Sequence, residues 1–186
     1  AGYGIAKYDN PEELSVSDRN NIGYQYTDCP LYWISVIYLN FAEAKAEMGS
    51  LTQDDLNNSI NKLQARAGLP AMTTTPDADP ANNMGVSNLI WEIRRCRRCE
   101  LIMDNWYRYW DLIRWHQLDK LDSTKYPNTM LGANVSNVPD CEEATKNGYI
   151  DASDAQIRTY EAKHYFYPIP TTQLTLNKNM KQNPGW

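Results

Sequence analysis

Apolar residues along this chain come in blocks with helical spacing, separated by polar, Gly- and Pro-rich stretches. The densest block, Leu31 to Ala42, is broken only by Ser35 and Asn40. It predicts a first helix over 30–48, with Asp28 as its cap, Pro30 in its first turn and Gly49 at its end. Its first half is apolar nearly all round, so it must be covered on several sides. A second helix is predicted over 53–67. Thr52 and Asp55 form a capping-box start, Leu56, Ile60, Leu63 and Ala67 a narrow stripe, and Gly68 and Pro70 a stop. Only Gly49-Ser50-Leu51 separates the two, which dictates an antiparallel helix pair over about 30–68. One such pair cannot bury its own faces, so more helices are required.

Polar residues dominate 70–85, which reads as a surface loop. Ser87 to about Met103 predicts a third helix, with Leu89, Ile93, Cys96, Glu100 and Met103 on one side. After a break at Asp104-Asn105, a fourth runs from Trp106 to about Leu118 with Trp106, Trp110 and Ile113 in line. Residues 119–162, punctuated by Pro127, Gly132, Pro139 and Gly148, predict loops with a short strand pair. The end holds Tyr165 to Pro170, a one-turn helix near Thr171–Leu176, and Pro184-Gly185, which favours a type II turn. Residues 1–27 read as an irregular lead-in. Ala1-Gly2-Tyr3-Gly4 opens into polar sequence without a leader's features, so the expectation is a soluble chain or a piece of a larger protein targeted from elsewhere.

The net charge is −5 over 186 residues, which argues against a general affinity for nucleic acid. Thirteen Tyr and six Trp against two Phe favour aromatic rings with a polar edge, suited to packing between helices and also to ligand platforms. Cys29, Cys96, Cys99 and Cys141 allow two disulfides of unreadable connectivity; Cys96 and Cys99 have CxxC spacing without a second such pair, so free half-buried thiols are the expectation over zinc. Asp77 and Asp79 lack the Gly and distal Glu of a calcium loop. Arg94, Arg95, Arg97, Arg98, Arg108 and Arg114 alternate with Glu100, Asp104 and Asp111. Beside Trp and Tyr they suit either a nucleic-acid patch or a structural ion network, and the interleaved acids favour the network. No nucleophile elbow, zinc helix or phosphate loop is present, so neither catalytic nor metal residues are assigned.

Three stretches together resemble one family. Ile37-Tyr38-Leu39-Asn40-Phe41-Ala42-Glu43-Ala44 with Ile60-Asn61-Lys62-Leu63-Gln64-Ala65-Arg66-Ala67-Gly68-Leu69-Pro70 is the first. Arg97-Arg98-Cys99-Glu100-Leu101 with Arg108-Tyr109-Trp110-Asp111-Leu112-Ile113-Arg114-Trp115 is the second. Tyr167-Pro168-Ile169-Pro170 with Gln182-Asn183-Pro184-Gly185-Trp186 is the third. In this order they resemble the SusD/RagB family of nutrient-binding lipoproteins, with departures: Cys96 stands in place of Glu, Asp104-Asn105 in place of Glu-Gly, and Trp186 in place of Tyr.

The resemblance implies a mainly α, SusD-like fold of tetratricopeptide-like helix pairs with irregular loops and short strands. It implies that 1–186 is the C-terminal part of a longer protein whose N-terminal part is a partner: helix pair about 30–68, signature helices about 87–118, loop-rich 119–162 and C-terminal signature 165–186. It further implies a lipid-anchored outer-membrane surface protein, acting without catalysis or cofactor. Such a protein captures an oligosaccharide, or in some relatives a peptide, for a SusC-like TonB-dependent transporter. A helical-repeat scaffold for protein partners is the alternative. The ligand-binding residues are not assigned; the loops at 70–85 and 119–162 are the places for them. Trp110, Asp111, Arg114 and Trp115 are expected in the core.

Overall fold

A computed structural model gives the fold, and the structure describes residues 7, 15–20, 31–141, 145–153 and 156–186. Two compact units emerge, Asp28–Asp111 and Ala1–Thr27 with Leu112–Trp186. Within the lead-in, Val16–Asn20 forms a five-residue helix, α1, where the sequence suggested only irregular chain; Ser15 caps it by accepting from the Asp18 amide at 3.1 Å.

The first unit is helical. Helix α2 spans Ile34–Glu47. It starts later than predicted: Leu31 to Trp33 are not helical, while Asp28, Cys29 and Pro30 lie outside the described residues. It ends as expected at Gly49, φ +67°, with Gly49 N–H donating to Ala46 O and Ser50 N–H to Lys45 O at 3.0 and 2.9 Å. That pair of bonds closes a helix on a left-handed residue, which Gly adopts at no steric cost. The predicted second helix is two, α3 Gln53–Asn57 and α4 Ile60–Arg66. The capping box of Thr52 and Asp55 starts α3. The break follows from side chains competing with the helix for carbonyls: Asn58 Nδ2 donates to Asp54 O at 3.0 Å and Ser59 Oγ to Asp55 O at 2.6 Å. Ser87 accepts from Ile90 N–H and caps α5, Asn88–Glu100. Helix α6 covers Tyr107–Arg114 and passes into the second unit at Leu112.

Leu39, Ala42, Leu56, Ile60 and Ile93 are fully buried and, with Leu63, Met72 and Leu101, form the core of the helical unit. Asn61 closes it from the side. Its amide donates to Met72 O at 3.1 Å and its carbonyl accepts from Met72 N–H at 2.7 Å, so the chain leaving α4 is tied back across the helix. Met103, expected on the apolar side of α5, is exposed because the helix has already ended and Met103 takes φ +62°.

The second unit is loop-rich. Its sheet has the order β1-β3-β2, all antiparallel: β1 Leu131–Asn134, β2 Thr145–Lys146 and β3 Tyr149–Asp151. The predicted strand pair is therefore three strands. Asn147 and Gly148, at φ +54° and +79°, make the tight turn between β2 and β3. The predicted fourth helix stops at Arg114, short of Leu118, because His116 takes φ +53°. Helix α7 falls at Thr171–Leu176. At the end Gly185 has φ +86° and Trp186 N–H donates to Asn183 O at 3.2 Å, the expected type II turn.

Candidate functional site

Two arginines of the arginine-rich stretch fold inward. On α5, Arg94 Nε lies 3.0 Å from Glu43 Oε1 and its Nη2 3.1 Å from Glu47 Oε1, both on α2. One turn on, Arg97 Nε meets Asp111 Oδ2 at 2.7 Å and its Nη1 donates to Asn40 Oδ1 at 2.8 Å. Arg94, Arg97, Glu43 and Asp111 are buried. One guanidinium thus joins α5 to both α2 and α6, the fork geometry that suits Arg to carboxylate. Arg66 pairs with Glu100 at 2.5 Å and Arg95 with Glu92 at 2.7 Å. Most of these pairs run between elements, and Arg95–Glu92 lies within α5. Arg108 is held below the usual arginine range by burial and by Arg98. Arg94 and Arg97 are thus occupied in packing, while Arg95, Arg98 and Arg114 are exposed.

Of the four residues expected in the core, Asp111 and Trp115 are buried, whereas Arg114 is exposed and Trp110 is 52% exposed. The short α6 turns one face to the packed side, and Trp110 lies on the other. Cys96, Cys99 and Cys141 are free thiols; burial pushes Cys96 up to about 11.

The loops at 70–85 and 119–162 differ in what they offer. In the first, Asp79 accepts from Trp91 Nε1 at 3.0 Å and from Ala81 N–H at 2.8 Å, and the Trp91 bond above all holds its carboxyl below the usual range. This loop is clamped onto α5.

The second contains a cleft of about 500 Å³, the size of small-molecule sites. One wall is 123–131. It is fixed by Asp122, which accepts from Thr124 Oγ1 at 2.5 Å and from Tyr160 N–H at 3.2 Å. Ser123 and Arg158 add a reciprocal clasp: Ser123 N–H donates to Arg158 O at 2.9 Å and Arg158 N–H to Ser123 Oγ at 3.0 Å. Thr145 and Lys146 of β2, Asp151 of β3, and Ser153, Gln156 and Ile157 beyond also line it. Met130 and Leu131 supply apolar floor. Asp151 is committed to Ser153, accepting from its N–H at 2.9 Å and its hydroxyl at 2.6 Å. The side chains of Thr145, Lys146 and Gln156 bond to nothing among the described residues. The cleft therefore offers a hydroxyl, an ammonium and an amide over a partly apolar floor, a hydrogen-bonding set suited to a polar ligand. Asp151 is the one carboxylate among its described lining residues. Sequence reading assigned no residue in this stretch; Asn147-Gly148 was the signal for the hairpin that presents Thr145 and Lys146.

The third motif is a clasp. Gln182 accepts from Ile169 N–H at 2.8 Å and donates to Ile169 O at 2.9 Å, pairing with the residue between two prolines as a neighbouring strand would. Asn183 Nδ2 donates to Tyr167 O at 2.7 Å, and Trp186 Nε1 to Phe166 O at 2.9 Å.

Packed helices joined by a buried arginine network, with a loop-rich unit and a small sheet, define a mainly helical, SusD-like fold. The sequence matches the SusD family over residues 1–186, and the chain belongs to that family. It is similar to a solved SusD-like protein from Bacteroides fragilis NCTC 9343, with 25% identity and a TM-score of 0.56, over 82% of this chain and 25% of that one. The chain thus matches about a quarter of that relative's length. No curated protein matches it. Among the described residues, no helix is long and apolar enough to cross a membrane.

Proposed function

We propose that this chain is the C-terminal part of a nutrient-capture lipoprotein at the outer face of the outer membrane. In that role it binds an oligosaccharide without cleaving it and passes it to a SusC-like TonB-dependent transporter. Membership of the SusD family supports the class. The observation that carries ligand capture is the cleft of about 500 Å³, lined by three polar side chains that bond to nothing among the described residues, beside apolar Met130 and Leu131. Sugar hydroxyls both donate and accept; the Gln156 amide and Thr145 hydroxyl do both, and the Lys146 ammonium donates. Peptide capture remains the neighbouring alternative, since an amide backbone presents the same two functions.

The test is glycan-array and peptide-array binding on the full gene product, with the mass of the bound ligand measured before and after. An oligosaccharide is expected to bind and return intact. Lys146→Ala with Gln156→Ala is expected to weaken binding about tenfold or more, two modest hydrogen bonds being lost. A shortened glycan contradicts non-catalytic capture. Binding that ignores both substitutions moves the ligand away from this cleft.

A further inference from the structure

The hairpin that presents Thr145 and Lys146 turns through the single Asn-Gly pair in the sequence. Both turn residues take positive φ, Asn147 +54° and Gly148 +79°, which Asn and Gly tolerate and branched residues do not. Contact holds Gly148 a second time: a Cβ there would lie 2.1 Å from Ser136 Oγ. Its carbonyl accepts from Val135 N–H at 2.8 Å and from the Ser136 hydroxyl at 3.4 Å. The fold therefore favours Asn followed by Gly at this turn, and that pair carries a chemistry of its own.

The backbone nitrogen after an Asn attacks the Asn side-chain carbonyl when three conditions hold. The side-chain amide must be unengaged, the following N–H must be free to give up its proton, and no side chain on that next residue may block the approach. Asn147 meets all three. It is exposed, and its side chain bonds to nothing among the described residues. Gly148 N–H donates to no described group, and glycine has no Cβ. Ring closure also requires Asn147 to leave its left-handed conformation. The adjoining strand permits this: β2 is only Thr145–Lys146, both exposed, and such a segment opens locally at small cost.

We propose that Asn147 is a site of self-modification by deamidation, set beside the cleft. Gly148 N bonds to Asn147 Cγ, the Cγ–Nδ2 bond breaks, and Nδ2 leaves as ammonia with the proton from Gly148. Water then opens the resulting five-membered imide at one carbonyl or the other, giving aspartate or isoaspartate. Either product places a new carboxylate next to Lys146, and isoaspartate also adds one carbon to the backbone. The two-residue turn sets Lys146 opposite Tyr149 and Thr145 opposite Ile150. An added backbone atom breaks that match and loosens the strand that lines the cleft. The modification is independent of the ligand; its consequence for capture rests on the reading given under Proposed function.

The experiment uses the full gene product, kept folded at mildly alkaline pH while peptide masses are followed. Asn179, exposed and followed by Met180, is the internal reference. Asn147 is expected to convert at least about tenfold faster, the following residue being glycine. Isoaspartate is expected beside aspartate, at a rate that rises with pH. Conversion no faster than at Asn179, or to aspartate alone, overturns the proposal. Two variants separate the effects on the hairpin: Asn147→Gly keeps a favoured turn and has no amide to lose, and Asn147→Asp carries the charge without the added carbon. After equal incubation, amides of 145–150 in the converted protein are expected to exchange at least about tenfold faster than in Asn147→Gly, with Asn147→Asp close to the latter. Equal protection in all three overturns the effect on the hairpin. Conversion with no glycan binding leaves this proposal standing and removes oligosaccharide capture; glycan binding by a protein whose Asn147 stays intact does the reverse.

Discussion

Asp55 shows how one side chain serves two purposes. Its carboxylate accepts from Lys45 Nζ at 2.8 Å, from Thr52 Oγ1 at 2.7 Å and from Thr52 N–H at 2.9 Å. It thereby caps α3 and ties it to α2. The Lys45 bond first, then the Thr52 bonds, lower its pKa from the ordinary 3.8 to about 2. A carboxyl whose folded value lies below its unfolded value stabilises the fold fully above the unfolded value, and that contribution disappears as pH falls through the folded one. The gap in melting temperature between the native protein and Asp55→Asn is expected to be constant from about pH 7 to pH 5 and to shrink between about pH 4 and pH 2. Thermal melts across that range check it; a gap of undiminished size at the acid end means that the charge is not its source. The capping role was readable from Thr52 and Asp55 three residues apart. Lys45 was not, because it lies in a different helix, and only the turn at Gly49 brings it there.

At the level of elements, starts and stops followed from local chemistry wherever that chemistry is sequence-local. Gly49 and Gly68 end their helices with the same pair of backbone bonds, and both were legible. His116 ends α6 in the same way, with Gln117 N–H donating to Leu112 O at 2.8 Å and His116 N–H to Ile113 O at 3.1 Å. A histidine in that conformation carries no signal, and its ring lies 4.9 Å from Tyr165 at a site distant in sequence. The split between α3 and α4 was hidden because Asn58 and Ser59 are tolerated within helices until their side chains bond backward.

The join of α5 to α6 depends on Arg97 and Asp111, both 5% exposed and 2.7 Å apart. Removing one partner of such a pair leaves a buried charge without its counter-ion. Asp111→Ala is therefore expected to lower unfolding free energy by about 3–5 kcal/mol. Arg97→Met together with Asp111→Leu is expected to recover at least half of that, since the apolar pair needs no desolvation of charge. Urea unfolding of the single and double variants decides; if the double variant is as unstable as the single, Asp111 acts through its other contacts rather than through charge pairing.

For the whole molecule, the two units differ in how they resist opening. Among the described residues of the helical unit, Leu39, Ala42, Leu56, Ile60 and Ile93 are fully buried, beside a buried ion network. The loop-rich unit has short strands, Leu131–Asn134, Thr145–Lys146 and Tyr149–Asp151, and its buried apolar residues, among them Trp115, Leu118, Ala133 and Ile150, are spread thinly along the chain. This division also explains what sequence could reveal. Periodic apolar stripes mark packed helices, so the first unit was read nearly element by element; the second is built from clasps such as Gln182 on Ile169 and Asp122 on Tyr160, which leave no period to detect. Local opening needs little free energy where few apolar contacts are lost. Amide hydrogens of α2 and α5 are accordingly expected to exchange at least about a hundredfold more slowly than those of β1 and β3, by mass spectrometry on the native protein. That contrast suits a protein whose proposed ligand cleft lies among the strands and clasps: the walls at 123–131 and 145–157 have freedom to adjust to a ligand while the helical unit keeps its form. Addition of a glycan that binds in the array test is then expected to slow exchange in those walls and leave α2 and α5 unchanged. Uniform protection in the absence of ligand is the outcome that contradicts this division, because it requires the clasps to be as hard to open as the helical core.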